Sequence, residues 1–166
     1  MRTKGGAYRL VEAALMNLLD HPSVRGLVVT AHDVTDRARA DELVFASEVR
    51  LRGIVDGLLD PCVLMEAVLD EAGHVVDFSI IDANPAAGAF HGISRETLIG
   101  KRILEAAPIT MAKTLLDLYA VVVEKGAPLI LDDYVHEPHR SGQDGRRFDI
   151  RAVPVGVGVS VVWRDV

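Results

Sequence analysis

Residues 59–166 alternate between apolar stretches with the two-residue period of β-strands and stretches with helical spacing. A long helix is predicted from about Thr110 to Lys125, where apolar residues recur every three or four positions. Asn84 and Ser94 are placed to cap two short helices before it. The strand patterns lie at 61–69, 75–82, 129–135, 146–155 and 157–166. Strands at both ends with helices between them favour an α+β fold, an antiparallel sheet with helices on one face.

A second helical pattern spans residues 36–58 and carries a stripe of small and apolar residues at heptad spacing. The members of this stripe are Ala40, Val44, Ser47, Leu51, Ile54 and Leu58. A single helix with so narrow a stripe is marginal in water, so a second copy of itself is the natural partner. The predicted dimer seam consists of Val44, Leu51, Ile54 and Leu58. The alternative is a helix packed against its own domain.

The chain also contains an internal repeat. Gly26–Val34 and Gly158–Val166 are both apolar strands that run into Asp-Val. The first copy continues into Thr35 and then into the helical pattern, so Asp33 or Thr35 is expected to cap that helix. Repeats at a fixed offset indicate an array of similar units, although two similar β-branched strands also arise by chance.

Composition excludes several classes of protein. Hydrophobic residues make up 49% of the 166 residues and the formal net charge is −6, so a core is expected and nucleic-acid binding is not. No apolar run reaches the length of a membrane span, and the basic start lacks the apolar region of a signal peptide. Cys62 is the sole cysteine, which rules out an internal disulfide. A cytoplasmic protein is therefore expected.

Three segments together resemble the PAS sensor family. They are Asp82–Ala87, Leu98–Arg102 and the closing Trp163–Val166, in the element order given above. The resemblance covers residues 59–166 and implies a five-stranded antiparallel sheet with helices over one face, often with a small-molecule pocket between them. It also implies a sensory role in a multidomain signalling protein of bacterial type, frequently dimeric.

Asp33–Arg37 resembles the junction at which a PAS domain passes into a signalling helix. The resemblance therefore divides the chain into the C-terminal β-hairpin of a preceding PAS-like domain (1–35), a linker or signalling helix (36–58) and a complete sensor domain (59–166). An output domain is expected to follow in the parent protein. The expected signal-relay positions are Asp33, Thr35 and Asp165.

In the PAS family a ligand often lies between sheet and helices. The residues predicted to line that space are Met65, Phe78, Ile80, Leu115, Tyr119, Val161 and Trp163. Residues at such helix and strand spacing more often form a plain core. Flavin-binding members carry a cysteine in a polar motif on a central helix, whereas Cys62 falls on the first predicted strand. Haem-binding members commonly use a histidine on the long helix, and residues 110–125 contain none. No cofactor is therefore expected, while a small organic or lipid-like ligand stays an alternative to a filled core.

Catalytic motifs are missing from the sequence. His136 and His139 flank a proline and do not have the spacing of a helical zinc pair, so they are interpreted as loop residues. There is no nucleophile elbow, phosphate-binding loop or Cys/His pair. We predict a non-catalytic, metal-free sensory or regulatory module that senses a small ligand or relays a conformational change through its flanking helices. The alternative is a purely structural module for protein–protein interaction or dimerisation, without a ligand.

Overall fold

The computed structural model describes residues 6, 8–106, 109–136 and 146–166. The strands are β1 (Val11–Leu18), β2 (Gly26–Asp33), β3 (Cys62–Leu69), β4 (Val75–Ala83), β5 (Leu129–His136), β6 (Arg146–Val155) and β7 (Gly158–Asp165). The helices are α1 (Thr35–Asp56), α2 (Pro85–His91), α3 (Arg95–Leu98), α4 (Ile103–Ala106) and α5 (Ile109–Lys125). The chain divides into two compact units, one ending at Arg52 and the other beginning at Gly53.

The second unit contains a five-stranded antiparallel sheet in the order β4-β3-β7-β6-β5. β7 lies between β3 and β6, with Val161 opposite Val63 on one side and opposite Ala152 on the other. The last strand in the sequence thus sits at the centre of the sheet, beside the first strand of the unit. The predicted α+β fold class, with helices packed against the sheet, is confirmed.

Local signals placed the helix ends well. The Asn84 side chain accepts a hydrogen bond from the Ala87 amide at 2.9 Å and caps α2, and Ser94 caps α3 through the Thr97 amide. Sequence periodicity missed α4, because a single helical turn is too short to show a period. The second predicted short helix, α3, ends at Leu98, just before the positive-φ residue Gly100.

The core of the second unit lies between the sheet and the helices, where α5 packs its apolar face. The rings of Phe78 on β4 and Tyr119 on α5 meet edge to face, with centroids 6.2 Å apart. Gly158 is fixed by close packing between strands, because an added Cβ would collide with the Met65 carbonyl oxygen and lie 2.9 Å from the Glu66 Cα. The sheet therefore has no room for a side chain at the start of β7.

The β1–β2 hairpin of the first unit repeats the register of the β6–β7 hairpin. In the first, Val11 pairs with Asp33. In the second, Phe148 pairs with Asp165. Both pairings run without a register shift to the last pair before the turn. The repeat in the sequence is therefore also a repeat of strand pairing.

The two hairpins also carry the same ion pair. Arg9 Nη1 lies 3.2 Å from Asp33 Oδ2, and Arg146 Nε lies 3.6 Å from Asp165 Oδ2. Each arginine precedes by two positions the residue that pairs with the aspartate. The predicted relay residues Asp33 and Asp165 thus occupy equivalent positions.

The hairpins differ in burial. Leu15 and Val29, which face each other across β1 and β2, are 65% and 59% exposed. Their counterparts in β6 and β7, Ala152 and Val161, are 0% and 2% exposed. These two apolar side chains of the first hairpin are therefore exposed, whereas their counterparts in the second unit belong to its core.

α1 begins where β2 ends. Asp33 Oδ1 accepts a hydrogen bond from the Thr35 amide at 3.0 Å, so Asp33 satisfies a free N–H at the start of the helix. The Thr35 hydroxyl is buried and accepts from the Leu10 amide at 2.8 Å, which ties the helix start to β1. Of the two capping residues considered, Asp33 therefore serves the helix and Thr35 serves the hairpin.

The predicted dimer seam lies on the surface. Val44, Leu51 and Ile54 are 58–60% exposed. Leu58 lies beyond the end of α1 at Asp56, so it does not extend the seam as a helical position. No helix in the described ranges is long and apolar enough to cross a membrane.

Candidate ligand cavity

A cavity of about 60 Å³ lies between the sheet and the helices of the second unit. The sheet contributes Val63, Met65, Ile80, Phe148, Ile150, Val161 and Trp163 to its wall. The helices contribute Phe90, His91, Ile103, Ala106, Leu115 and Tyr119. Both layers of the fold are therefore needed to form this space.

The cavity gathers six of the seven residues predicted to line the interior: Met65, Ile80, Leu115, Tyr119, Val161 and Trp163. Phe78 is the exception, since it is fully buried against Tyr119 and lies outside the wall. The sequence analysis missed the other seven lining residues, which are Val63, Phe90, His91, Ile103, Ala106, Phe148 and Ile150. Phe90 and His91 lie at the end of the seven-residue helix α2, which is too short to have a clear apolar period.

Aromatic rings close one end of the cavity. The ring centroid of Phe90 lies 5.4 Å from that of Trp163 and 5.9 Å from that of Phe148, both in edge-to-face geometry. The rings of His91 and Trp163 lie 5.9 Å apart. The guanidinium of Arg146 lies 5.9 Å from the Phe90 ring centroid. At this end, α2 meets the central strand β7 and its neighbour β6.

The cavity wall carries no formal charge near neutral pH. Burial, followed by the nearby Lys101 ammonium, lowers the pKa of His91 below its ordinary value of 6.5. Burial raises the pKa of the Tyr119 hydroxyl, with a further contribution from Tyr134. Since none of the lining residues is Asp, Glu, Lys or Arg, the wall suits an uncharged, mainly apolar molecule.

Asn84, the N-cap of α2, is fully buried and uses both ends of its amide. Its Oδ1 accepts from the Ala87 amide and from the Cys62 amide, each at 2.9 Å. Its Nδ2 contacts the carbonyl oxygens of Asp60, Leu58 and Val55 at 2.9, 3.3 and 3.5 Å. One side chain thus joins the start of α2 to the segment that leads from the end of α1 into β3, here termed the lead-in segment (55–62).

Other candidate chemistry is weak. Cys62 is half-buried on β3, and burial raises the pKa of its thiol, which disfavours the reactive thiolate. The His136–His139 motif lies outside the residues whose side chains are described. Among the residues that are described, no three His, Cys, Asp or Glu side chains are grouped to hold a metal ion.

Comparison with known proteins identifies the fold. A family model described as PAS fold matches residues 67–166. The PAS domain of BvgS from Bordetella pertussis is 20% identical, with a TM-score of 0.51 over 76% of this chain and 87% of that one. The PAS domain of an HTR-like protein from Haloarcula marismortui is 14% identical, with a TM-score of 0.51 over 78% of this chain and 99% of that one.

A search of curated proteins found no match to this chain. The two solved structures are similar in fold, and the family model covers more than half of the chain. The strand order and the position of the helices over the sheet agree with that match. The chain therefore belongs to the PAS fold family, whose domains are generally non-catalytic sensory modules.

Proposed function

We propose that the second unit senses a small, uncharged, apolar molecule in the cavity and relays its binding through the flanking segments. The observation that carries this proposal is the uncharged cavity between sheet and helices, with its aromatic end formed by Phe90 and Trp163. Trp163 lies on β7, two residues before Asp165, and Phe90 lies on the helix that Asn84 ties to the lead-in segment. Movement of the rings that line the cavity therefore takes place close to both ends of the second unit.

Cavity size limits the ligand. An engineered apolar cavity of about 150 Å³ binds benzene or xenon. The present cavity, at about 60 Å³, has room for a xenon atom, whereas benzene requires the walls to separate. Flavin and haem are far larger than this cavity. A molecule that needs extra space must move Phe90, Trp163 or both.

Xenon and benzene are therefore suitable probes. Trp163 is the sole tryptophan of the chain and lines the cavity, so its fluorescence should change when either probe binds. Ala106→Leu fills part of the cavity and should abolish the change. Ala89→Leu makes the same chemical change at an exposed position on α2 and should leave it intact. Absence of any fluorescence change in the unaltered protein contradicts ligand sensing and favours a structural module with a filled core.

The chain is also proposed to form a homodimer through α1. The support is the exposure of Val44, Leu51 and Ile54 along one stripe of the helix. Phe45 and Val49 are exposed too, but they lie one turn apart on another face of α1. Substitution on each face separates the two surfaces.

The β1–β2 hairpin is proposed as the last strand pair of a preceding sensor unit. The shared register and the shared Arg–Asp pair support this origin. A hairpin alone is marginal in water, so it needs cover from its own chain or from a partner. Hydrogen exchange tests this need. If the Val29 amide is protected nearly as strongly as the Val161 amide, the hairpin is covered. Exchange of Val29 at the rate of an unfolded peptide contradicts it.

A further inference from the structure

We infer that Asn84 couples the aromatic end of the cavity to the end of α1, a role that rests on the proposed ligand-sensing function. The cavity and the lead-in segment do not share a wall. They are joined by α2, which is capped by Asn84 and ends with the cavity residues Phe90 and His91. Asn84 is thus a positioning residue, and it does not line the cavity.

The lead-in segment is held from two sides. On one side, the Asn84 amide nitrogen Nδ2 contacts the carbonyl oxygens of Val55, Leu58 and Asp60. On the other side, the Trp163 amide donates to the Pro61 carbonyl at 3.1 Å. α2 and β7 are therefore both bonded to the same short stretch of chain.

These two elements also face each other across the cavity. Phe90 on α2 and Trp163 on β7 are in edge-to-face contact at its aromatic end. A ligand larger than the cavity separates these rings, which moves α2 relative to β7. Because α2 is bonded to the lead-in segment through Asn84, this movement changes the hydrogen bonds at the end of α1.

The chemistry of the amide explains why asparagine suits this position. Oδ1 accepts the two backbone N–H groups of Cys62 and Ala87, while Nδ2 supplies donors to carbonyl groups of the lead-in segment. A serine keeps an N-cap acceptor for α2 but is too short to reach the carbonyls. An aspartate keeps the shape and an acceptor for both N–H groups, but in place of the N–H donors it turns a carboxylate oxygen towards the carbonyl oxygens. Substitution can therefore remove the hydrogen bonds to the lead-in segment while it keeps the cap of α2.

The test compares Asn84→Ser with the unaltered chain. Hydrogen exchange is measured at Gly57 and Leu58, whose amides bond to Gly53 and Val55 at the end of α1. In the unaltered chain, benzene should change exchange at these two amides by about two- to tenfold, the effect of one hydrogen bond. In Asn84→Ser, benzene should still change Trp163 fluorescence at the same concentration, while the exchange response at Gly57 and Leu58 is lost.

Retention of that exchange response in Asn84→Ser overturns the inference, because a purely structural role leaves the response intact. Asn84→Thr, which also keeps an N-cap acceptor and is too short to reach the carbonyls, provides a second variant with the same expectation if the serine variant is too unstable to study. Benzene binding that disappears together with the exchange response also counts against it, because a positioning residue outside the wall should not be required for binding.

A second arm works without a ligand. Phe148→Leu removes a ring that contacts Phe90 at the aromatic end of the cavity. In the chain that keeps Asn84, Phe148→Leu should alter hydrogen exchange at Gly57 and Leu58 more than at the amides of α5. In a chain that also carries Asn84→Ser, this selective change should be absent. Phe78→Leu, a core phenylalanine outside the cavity wall, is the matched control.

The two arms distinguish the possible failures. If benzene does not bind the unaltered protein, the proposed ligand-sensing function fails, and the Phe148→Leu comparison still decides the coupling. Phe148→Leu changes exchange at Gly57 and Leu58 equally with and without Asn84 if Asn84 has no coupling role. That result, or no change in either background, overturns the role assigned to Asn84.

Discussion

Arg164 binds Asp60 across a separation of 104 residues, with Nη2 donating to Oδ2 at 2.6 Å and Nε at 3.2 Å from each carboxylate oxygen. Hydrogen bonding to Arg164 lowers the pKa of Asp60, and the same contact raises the pKa of Arg164. Asp60 also offers its backbone carbonyl to Asn84. The beginning and the end of the second unit are therefore held at one residue.

Replacement of Arg164 by alanine should raise the pKa of Asp60 towards its ordinary value of 3.8. A carboxyl group with a lowered pKa in the folded state stabilises the fold above the unfolded value, and this contribution disappears as the pH falls through the folded pKa. Arg164→Ala should thus reduce the free energy of unfolding slightly at neutral pH, and by less in acid. Urea unfolding at both pH values and carboxyl NMR titration of Asp60 measure the two effects.

Arg164→Lys is the matched control, because lysine keeps the charge but lacks the planar fork that binds both carboxylate oxygens. In Arg164→Lys, the pKa of Asp60 and the free energy of unfolding should both fall between the values for the unaltered chain and for Arg164→Ala. An unchanged Asp60 titration in Arg164→Ala contradicts the assigned cause of the shift.

Substitution of Gly158 by alanine should be strongly destabilising. The new Cβ would collide with the backbone of Met65 and Glu66 on the neighbouring strand, and backbone atoms in the middle of a sheet cannot move away cheaply. We expect a loss of at least about 3 kcal/mol in the free energy of unfolding, at the upper end for overpacked cores. Chemical denaturation gives this value directly.

Gly53→Ala is the control for that experiment. Nothing lies within 4 Å of the added Cβ at this position in α1, so the substitution should stabilise the helix by about 0.5–1 kcal/mol. A Gly158→Ala variant as stable as Gly53→Ala would show that β7 does not approach β3 as closely as described.

His91 should make the fold less stable in mild acid. Its folded pKa is lowered below 6.5, so the unfolded chain binds a proton first as the pH falls. Stability from neutral His91 is thus fully present above pH 6.5 and is lost progressively below it, until the pH reaches the folded pKa. Thermal unfolding from pH 8 to pH 5 should show this decline, and His91→Gln should remove that part of it.

His74→Gln is the comparison, since His74 is exposed beside Asp70 on the β3–β4 turn and its loss should leave the decline in place. A decline of equal size in His91→Gln and the unaltered chain would assign the pH dependence to other groups.

A charge placed in the α1 seam should disrupt the proposed dimer. Leu51→Asp puts a carboxylate on the predicted contact stripe, where its burial in a dimer is costly. Phe45→Asp makes an equally drastic change on another exposed face of α1. Sedimentation equilibrium should find a dimer for Phe45→Asp and a monomer for Leu51→Asp, and the reverse result would assign the contact to the Phe45 face.

Much of the second unit could be predicted from local signals. The two-residue period identified its strands, and the apolar face around Leu115, Tyr119 and Val122 identified α5. Asn84 and Ser94 marked helix starts because short polar side chains satisfy free N–H groups there. These signals act over a few residues, so they survive without knowledge of the fold.

The cavity wall could be predicted only in part. Met65, Ile80 and Val161 were found because strand periodicity indicates an inward face. Phe90 and His91 were missed because which face of a single short helix turns inward depends on the sheet beneath it. The same limit applies to Asn84, whose capping role is local, while its contacts with residues 55–60 join distant parts of the chain.

By itself, the sequence determined where the strands and most of the helices of this protein lie, how several of them begin, and that one strand pattern recurs, because periodicity and capping depend on neighbouring residues. Only the tertiary structure decided that β7 lies between β3 and β6, that Arg164 meets Asp60, and that space is left among the side chains. That space is the volume that side chains from several separate elements fail to fill, so no single segment of the sequence encodes it.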